Sequence, residues 1–307
     1  MRRFDFVTVD VFTDRQFGGN PLAVFPDARG LTDAEMQALA AELNLSETTF
    51  VLPPVDPANT ARVRIFHRTA EMPFAGHPNV GTGFVLAARA SGGLLRFEQI
   101  AGIVEVRLDQ DAAGRVTGAT IAAPQPLSVG VEMPVDLAAA CAGIAPESIV
   151  TTHHPPTVAA DGGNPRLLLE VTAAAMAAAS PDLPAFRRAV AAMPSLGGKL
   201  SLYLYRRDGA GLRARMFSPL SGTWEDAATG SAATPLAGFL LHLSGAEHGA
   251  WDIVQGVEMG RPSLLRATAR RTADGIRASV GGGCVPVLRG EAMLQAGGGS
   301  RSSQPST

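Results

Sequence analysis

The segment Glu71-Met-Pro-Phe-Ala-Gly-His-Pro-Asn-Val-Gly-Thr-Gly83 constrains this chain more than any other. A carboxylate opens it, Pro73, Gly76 and Pro78 break the backbone, and an apolar run of small residues and leucine follows from Val80 to Ala90. The alternating stretch Ala61-Arg-Val-Arg-Ile-Phe-His67 just before it reads as a strand. This order predicts a tight turn that delivers His77 and free backbone N–H groups to the mouth of a buried helix. Such a mouth attracts anions, because its first N–H groups lack intrahelical acceptors and the macrodipole adds positive charge.

A second stretch, Met216-Phe-Ser-Pro-Leu-Ser-Gly-Thr-Trp-Glu-Asp-Ala-Ala-Thr-Gly-Ser-Ala-Ala233, repeats the device and leads into an apolar helix from Thr234 to Leu243. Two copies about 150 residues apart predict an internally duplicated protein. One helix mouth from each half, facing across a cleft, would grip a small anionic ligand.

Composition agrees with that picture. A chain of 307 residues that is 46% hydrophobic can build two domains with proper cores. Its 34 glycines and 22 prolines suit many short strands and turns rather than a helical bundle. A formal charge of −2 without basic runs argues against nucleic acid, and two Trp and two Tyr are too few for base-stacking platforms. No window approaches about 18 uncharged apolar residues, so no membrane span is expected, the Ala-rich Val171 to Ala179 included. Asp5 and Asp10 interrupt any signal-peptide core, and Cys141 and Cys284 cannot make a disulfide framework. A soluble, cytoplasmic protein is expected.

In chain order, Phe4 to Phe12 alternates as a half-buried strand, Gly18-Gly-Asn-Pro21 turns it, and Leu22 to Phe25 pairs with it. Thr32-Asp-Ala-Glu35 is a capping box opening a helix whose Met36, Leu39, Ala40 and Leu43 share a face. That helix ends at Asn44, and Ser46-Glu47-Thr48 lies in a short link to a strand at Thr49 to Leu52. After the central helix, strands are expected near Leu94–Gln99, Ile103–Leu108 and Val116–Ala122, and Pro124-Gln-Pro126 is the expected crossing into a second domain. Beyond it come a helix at Asp136–Ala142, strands at Ser148–Thr152 and Arg166–Val171, a helix at Leu183–Met193, and strands at Ser201–Arg206 and Leu212–Phe217. Short strands from Trp251 to Leu288 finish the fold, and the Gly/Ser/Pro tail, 297–307, is expected to be disordered. His153-His154 has no third metal ligand spaced nearby and reads as a surface loop. Glu71 and Glu225 stand at similar places in the two halves, which favours a shared structural role, and Arg261 is a candidate tie between the domains.

Five motifs carry a resemblance: Phe17-Gly-Gly-Asn-Pro21, Leu45-Ser-Glu-Thr-Thr-Phe50, Glu71-Met-Pro-Phe-Ala-Gly-His-Pro78, Glu225-Asp-Ala-Ala-Thr-Gly-Ser231 and Gln255-Gly-Val-Glu-Met-Gly-Arg-Pro262. In this order the chain resembles the phenazine-biosynthesis PhzF-like family over roughly residues 4 to 290. The resemblance implies an α+β, diaminopimelate epimerase-like fold: two pseudo-symmetric domains, each a β-barrel around a central α-helix, with the active site in the cleft between them. It places an N-terminal barrel at 1–123 and a C-terminal barrel at 124–275, with a strand near 276–291 returning to the first. It also implies a cofactor-free isomerase of a dihydro-hydroxyanthranilate or related acid, working as a homodimer.

Carried onto this sequence, the family motif makes Glu47 the proton shuttle, with His77 and Asp226 positioning the substrate and assisting transfer. Ser46, Ser231, Asn20 and the backbone around Gly76 and Gly230 become the substrate-binding set, and no metal is implied. The residue types suit the chemistry. Moving a proton between carbons wants one group that is base and then acid, and a carboxylate in a closed apolar cleft has a raised pKa that serves both roles. Ala227 and Asn79 depart from the family's usual residues, and Asn79 would alter pocket polarity. Two rivals remain. A racemase or epimerase of this fold would use two opposed thiols, but Ala75-Gly76-His77 and Thr229-Gly230-Ser231 hold none. A non-catalytic binding member of the family would have lost the Glu or the His, and both are present.

Overall fold

The computed structural model describes residues 1–162 and 165–295. The first half carries β1 (Arg2–Val11), β2 (Asn20–Phe25), α1 (Asp33–Leu43), β3 (Glu47–Leu52), β4 (Ala61–His67), β5 (Glu71–Met72), α2 (Gly76–Val85), β6 (Leu94–Gln99), β7 (Gly102–Gln110) and β8 (Val116–Ala122). The second carries β9 (Ser128–Glu132), α3 (Val135–Ala142), β10 (Thr157–Ala160), β11 (Arg166–Glu170), α4 (Ala173–Ala178), α5 (Leu183–Ala192), β12 (Leu202–Asp208), β13 (Gly211–Ser218), β14 (Thr223–Asp226), α6 (Gly230–Ser244), β15 (His248–Gln255), β16 (Ser263–Thr272) and β17 (Gly275–Leu294).

The duplication read in the sequence is written in the strand pairing. In the first half β1–β2 is antiparallel, β2–β3 parallel, β3–β4 and β4–β5 antiparallel, β4–β6 parallel, and β6–β7 and β7–β8 antiparallel. The same sequence of senses recurs in β10–β11, β11–β12, β12–β13, β13–β14, β13–β15, β15–β16 and β16–β17. Helix α2 follows β5 as α6 follows β14. The 20-residue β17 serves both halves: it leaves β16, runs beside β8, then pairs with β1 from Arg2↔Leu294 to Val11↔Cys284, closing an eight-stranded barrel.

Each central helix is wedged in its barrel. A Cβ on Gly81 would lie 2.6 Å from Leu22 Cδ2 and 2.8 Å from Val11 Cγ2, so the small residues of Val-Gly-Thr-Gly let α2 pack closely against the inner face of β1 and β2. One apolar core runs through both barrels, from Val9, Leu22 and Val80 to Leu236, Ile253 and Val280. Helix α1 covers the outside of the first barrel. Thr32 and Glu35 form the expected capping box, Asn44 ends the helix in the left-handed conformation, and Met36, Leu39 and Ala40 pack with Phe25, Phe50 and Phe66. In the second half α3, α4 and α5 take that place over β11 and β12.

Several expectations need correction. Helix α2 begins at Gly76 and α6 at Gly230, four residues before Val80 and Thr234, because the turn residues themselves form the first helical turn. Glu47 opens β3 rather than lying in a link. Residues 148–152 form no strand: a 3-10 turn at Pro146–Ser148 leaves Ile149 bridged only to Val171. The last strands are long, not short. His153-His154 is no free surface loop: His154 is buried with Nε2 2.8 Å from Tyr205 Oη, and His153 stands 2.8 Å from Glu170. The tail, 297–307, lies outside the described residues.

Candidate active site

The two helix mouths meet. A Cβ on Gly76 would lie 2.9 Å from Gly230 Cα and 3.1 Å from Ser231 N, so α2 and α6 touch backbone to backbone at their N-termini, which only glycine permits. Neither N-cap residue, Ala75 or Thr229, gives its side chain to its helix. Thr229 Oγ1 instead donates to Asp226 Oδ2 at 2.5 Å. Uncapped N-termini in contact concentrate two partial positive charges at one point.

Beside this point is a cavity of about 490 Å³, walled by residues 46–77 of the first half and 165–231 of the second. Ser46, Glu47, Gly76, His77, Asp226, Gly230 and Ser231, all singled out in the sequence, line it. A larger groove of about 630 Å³, between Phe12, Asp109, Arg266 and Cys284, contains none of them. We place the chemistry in the smaller cavity, where the titratable groups and helix mouths converge.

Strand β3 sets Glu47 at the cavity wall, between Leu22 of β2 and His67 of β4. Its side chain is 14% exposed, and Oε2 lies 3.4 Å from His77 Nε2. The ring N–H is not aligned on that oxygen, so Nε2 makes no hydrogen bond despite the short separation. Burial first, and then the charge of Asp226, pushes the Glu47 carboxyl up to about 8, against the pull of Arg166, Arg68 and the Ser46 hydroxyl. Burial alone pushes His77 down to about 3, so its ring is neutral. Burial also raises Asp226, while bonds from Thr229 and Asn20 favour its charged form. Thr229 and Asn20 both donate to Asp226, whereas burial outweighs every opposing interaction at Glu47, so Glu47 is the proton-bearing member of the pair.

Asn20 stands behind this wall. Its amide nitrogen donates to Asp226 Oδ1 at 2.8 Å and Ala228 O at 2.9 Å, and its carbonyl accepts from Ser46 Oγ at 2.9 Å. It thereby ties the two halves together at the site and positions the wall rather than facing the cavity. The same amide nitrogen lies 3.4 Å from His77 Nδ1. An amide nitrogen offers no lone pair, so Nδ1 is the bare ring nitrogen and the ring proton sits on Nε2, near Glu47 Oε2 but not hydrogen-bonded to it.

Sequence reasoning passed over Arg166, which opens β11 and lines the cavity, 5% exposed, with Nη2 3.1 Å from Ser231 Oγ. It also gave no role to Gln255, whose Nε2 donates to Asp226 O and whose Oε1 accepts from Tyr203 Oη and Thr229 N, fixing the 226–229 turn. Its place at the head of Gln255-Gly-Val-Glu was the available signal. Asn79 turns away from the cavity to Ala75 O and Gln99. Glu71 and Glu225 make matching forked pairs with Arg64 and Arg215, the structural role expected of them. Arg261 reaches Asp10, Gly18 and Gly19 across the halves. Cys141 and Cys284 are buried away from the cavity, their thiols pushed up by burial, Cys141 to about 12. Among the described residues no group of three or more His, Cys, Asp and Glu could hold a metal ion, and no helix is long and apolar enough to cross a membrane.

Residues 9–290 match the family described as phenazine biosynthesis-like protein, PhzC-PhzF. The chain belongs to this family. A trans-2,3-dihydro-3-hydroxyanthranilate isomerase from Pseudomonas chlororaphis is 37% identical over 291 residues, 94% of this chain and 99% of that protein. The crystal structure of a PhzF-family phenazine biosynthesis protein from Bacillus anthracis superposes with a TM-score of 0.84 at 22% identity, covering 96% of this chain and 100% of the other. A probable proline racemase from Agrobacterium radiobacter shares the fold at a TM-score of 0.64 and 12% identity, over 95% of this chain and 93% of its own. The chain is therefore an isomerase of the PhzF type, with the epimerase-like α+β fold and a small-molecule substrate.

Proposed function

We propose that this PhzF-type isomerase moves a proton between carbons of a small carboxylate-bearing substrate, trans-2,3-dihydro-3-hydroxyanthranilate or a related compound, without cofactor or metal. The observation that carries the reading is Glu47: a carboxyl raised to about 8, beside a neutral His77 on the wall of a cavity next to two helix N-termini.

In its ionised form Glu47 removes a proton from one substrate carbon, and the released electron pair moves into the substrate's conjugated system. The carboxylic acid so formed returns the proton to another carbon, restoring Glu47. A pKa near 8 makes the carboxylate a stronger base than an ordinary glutamate and still lets the acid give its proton back. His77 Nε2–H and Asp226 flank the reacting region, while Ser231 and the N–H groups at Gly76 and Gly230 receive the substrate's anionic end. The absence of thiols at the two mouths weighs against a two-thiol racemase.

The test is conversion of trans-2,3-dihydro-3-hydroxyanthranilate, followed by its ultraviolet spectrum, with wild type and Glu47→Gln side by side. Turnover by wild type that Glu47→Gln lacks, unaffected by chelator, supports the reading. Equal turnover by both proteins removes Glu47 from the mechanism.

A further inference from the structure

Strand β11 begins Arg166-Leu-Leu-Leu-Glu170, and all five residues are buried. Arginine in such a run is costly to bury unless its charge is met, because an unpaired interior charge forfeits its hydration. Here the protein leaves it incompletely met. Nη2 donates to Ser231 Oγ, Nε has no hydrogen-bond partner among the described residues, and Asp226, Glu47, Asp161 and Tyr203 act on the guanidinium only through space.

Its position explains what it is held for. Ser231 is the second residue of α6, at the point where Gly76 and Gly230 abut. Arg166 therefore brings a formal positive charge to the spot where two helix N-termini already converge, on the cavity wall. Its planar fork of N–H donors matches a carboxylate's two oxygens.

We propose that Arg166 is the specificity-determining residue of the cavity: its guanidinium binds the carboxylate of a small organic acid, alongside Ser231 and the N-termini of α2 and α6. This rests on the isomerase reading only in taking the cavity as the substrate site. The bound carboxylate completes the charge that the fold leaves unpaired, and it fixes the acid's remaining atoms next to Glu47 and His77. A neutral analogue of the same shape leaves the guanidinium desolvated and unpaired, so the site rejects it.

Isothermal titration with anthranilate and with its uncharged carboxamide tests this without turnover. Wild type binds the acid more tightly than the amide. Arg166→Gln weakens acid binding by about tenfold to a hundredfold, the loss of a charge-assisted bond, while amide binding changes by less than about twofold. Arg166→Lys, which keeps the charge and loses the fork, falls between. Glu47→Gln still binds the acid, so failure of the proton-shuttle reading shows in turnover and leaves this result untouched. Equal binding of acid and amide by wild type overturns the proposal with no variant needed. So does an Arg166→Gln protein of unchanged melting temperature that loses neither acid affinity nor selectivity.

Discussion

His77 presents Nε2 to Glu47 Oε2 at 3.4 Å, and neither group carries charge at neutral pH. The two come from separate elements, the first residue of β3 and the first turn of α2. A neutral ring beside a carboxyl that gains and loses a proton can respond to the charge without competing for the proton.

The pH dependence follows from those two directions. Glu47 must be ionised to begin, so kcat/KM rises with pH through an apparent pKa of about 8. His77 is already neutral above about 3, so no inflection belongs to it near the ordinary histidine range. A rate profile from pH 5 to 10 checks both points. A limb near 6.5 that disappears in His77→Gln would show that the ring titrates after all.

Stability responds to the same group. The folded-state pKa of Glu47, about 8, lies above its ordinary 4.5. The unfolded chain therefore releases this proton first, and the stability tied to the neutral carboxyl, full below about 4.5, is lost as pH rises towards 8. Glu47→Gln cannot ionise, so it is more stable than wild type at pH 8.5 and loses activity by about 10²- to 10⁴-fold. Asp226 is raised too and keeps some slope in the variant. Melting curves at pH 5 and 8.5 measure the difference.

The contact of the helix mouths is sensitive to one methyl group. Gly76→Ala pushes a Cβ against Gly230 Cα and Ser231 N, both backbone atoms that cannot swing aside. The strain costs about 1–3 kcal/mol and spreads the two N-termini. Substrate affinity falls as well as melting temperature, and titration with anthranilate separates the two effects.

The matching Arg–Glu forks differ in depth. Side chains of Arg215 and Glu225 are 7% and 11% exposed, against 12% and 24% for Arg64 and Glu71. Arg215 also donates to Met176 O and Ala179 O at the end of α4. Arg215→Met strands a buried carboxylate and costs about 3–5 kcal/mol in denaturant unfolding. Arg64→Met costs less, because Glu71 keeps more water.

Much of this could be read before the structure. The capping box at Thr32, the paired Gly/Pro turns and the duplication are local patterns, and local patterns are what sequence carries best. Glu47 was recognisable only inside Leu-Ser-Glu-Thr-Thr-Phe, because a lone glutamate beside a helix end looks like a solvated one. Arg166 left no mark, since its meaning depends on Ser231, 65 residues away. Pattern alone gives short strands up to Leu288, and only the family resemblance points to a strand near 276–291, with the run Gly281-Gly-Gly283 inside it. In the fold that run is the crossing between barrels, where a Cβ on Gly282 would strike Phe12 and one on Gly283 the Thr13 carbonyl.

The most direct measurement is isomerisation in D2O followed by proton NMR, with wild type and Glu47→Gln on the same carboxylate substrate and chelator present. If Glu47 carries the proton, wild type converts the substrate and fills the receiving carbon with the transferred proton or with deuterium. Glu47→Gln, correctly folded and still able to bind the acid, does neither. Conversion by Glu47→Gln at a rate near wild type would contradict the account.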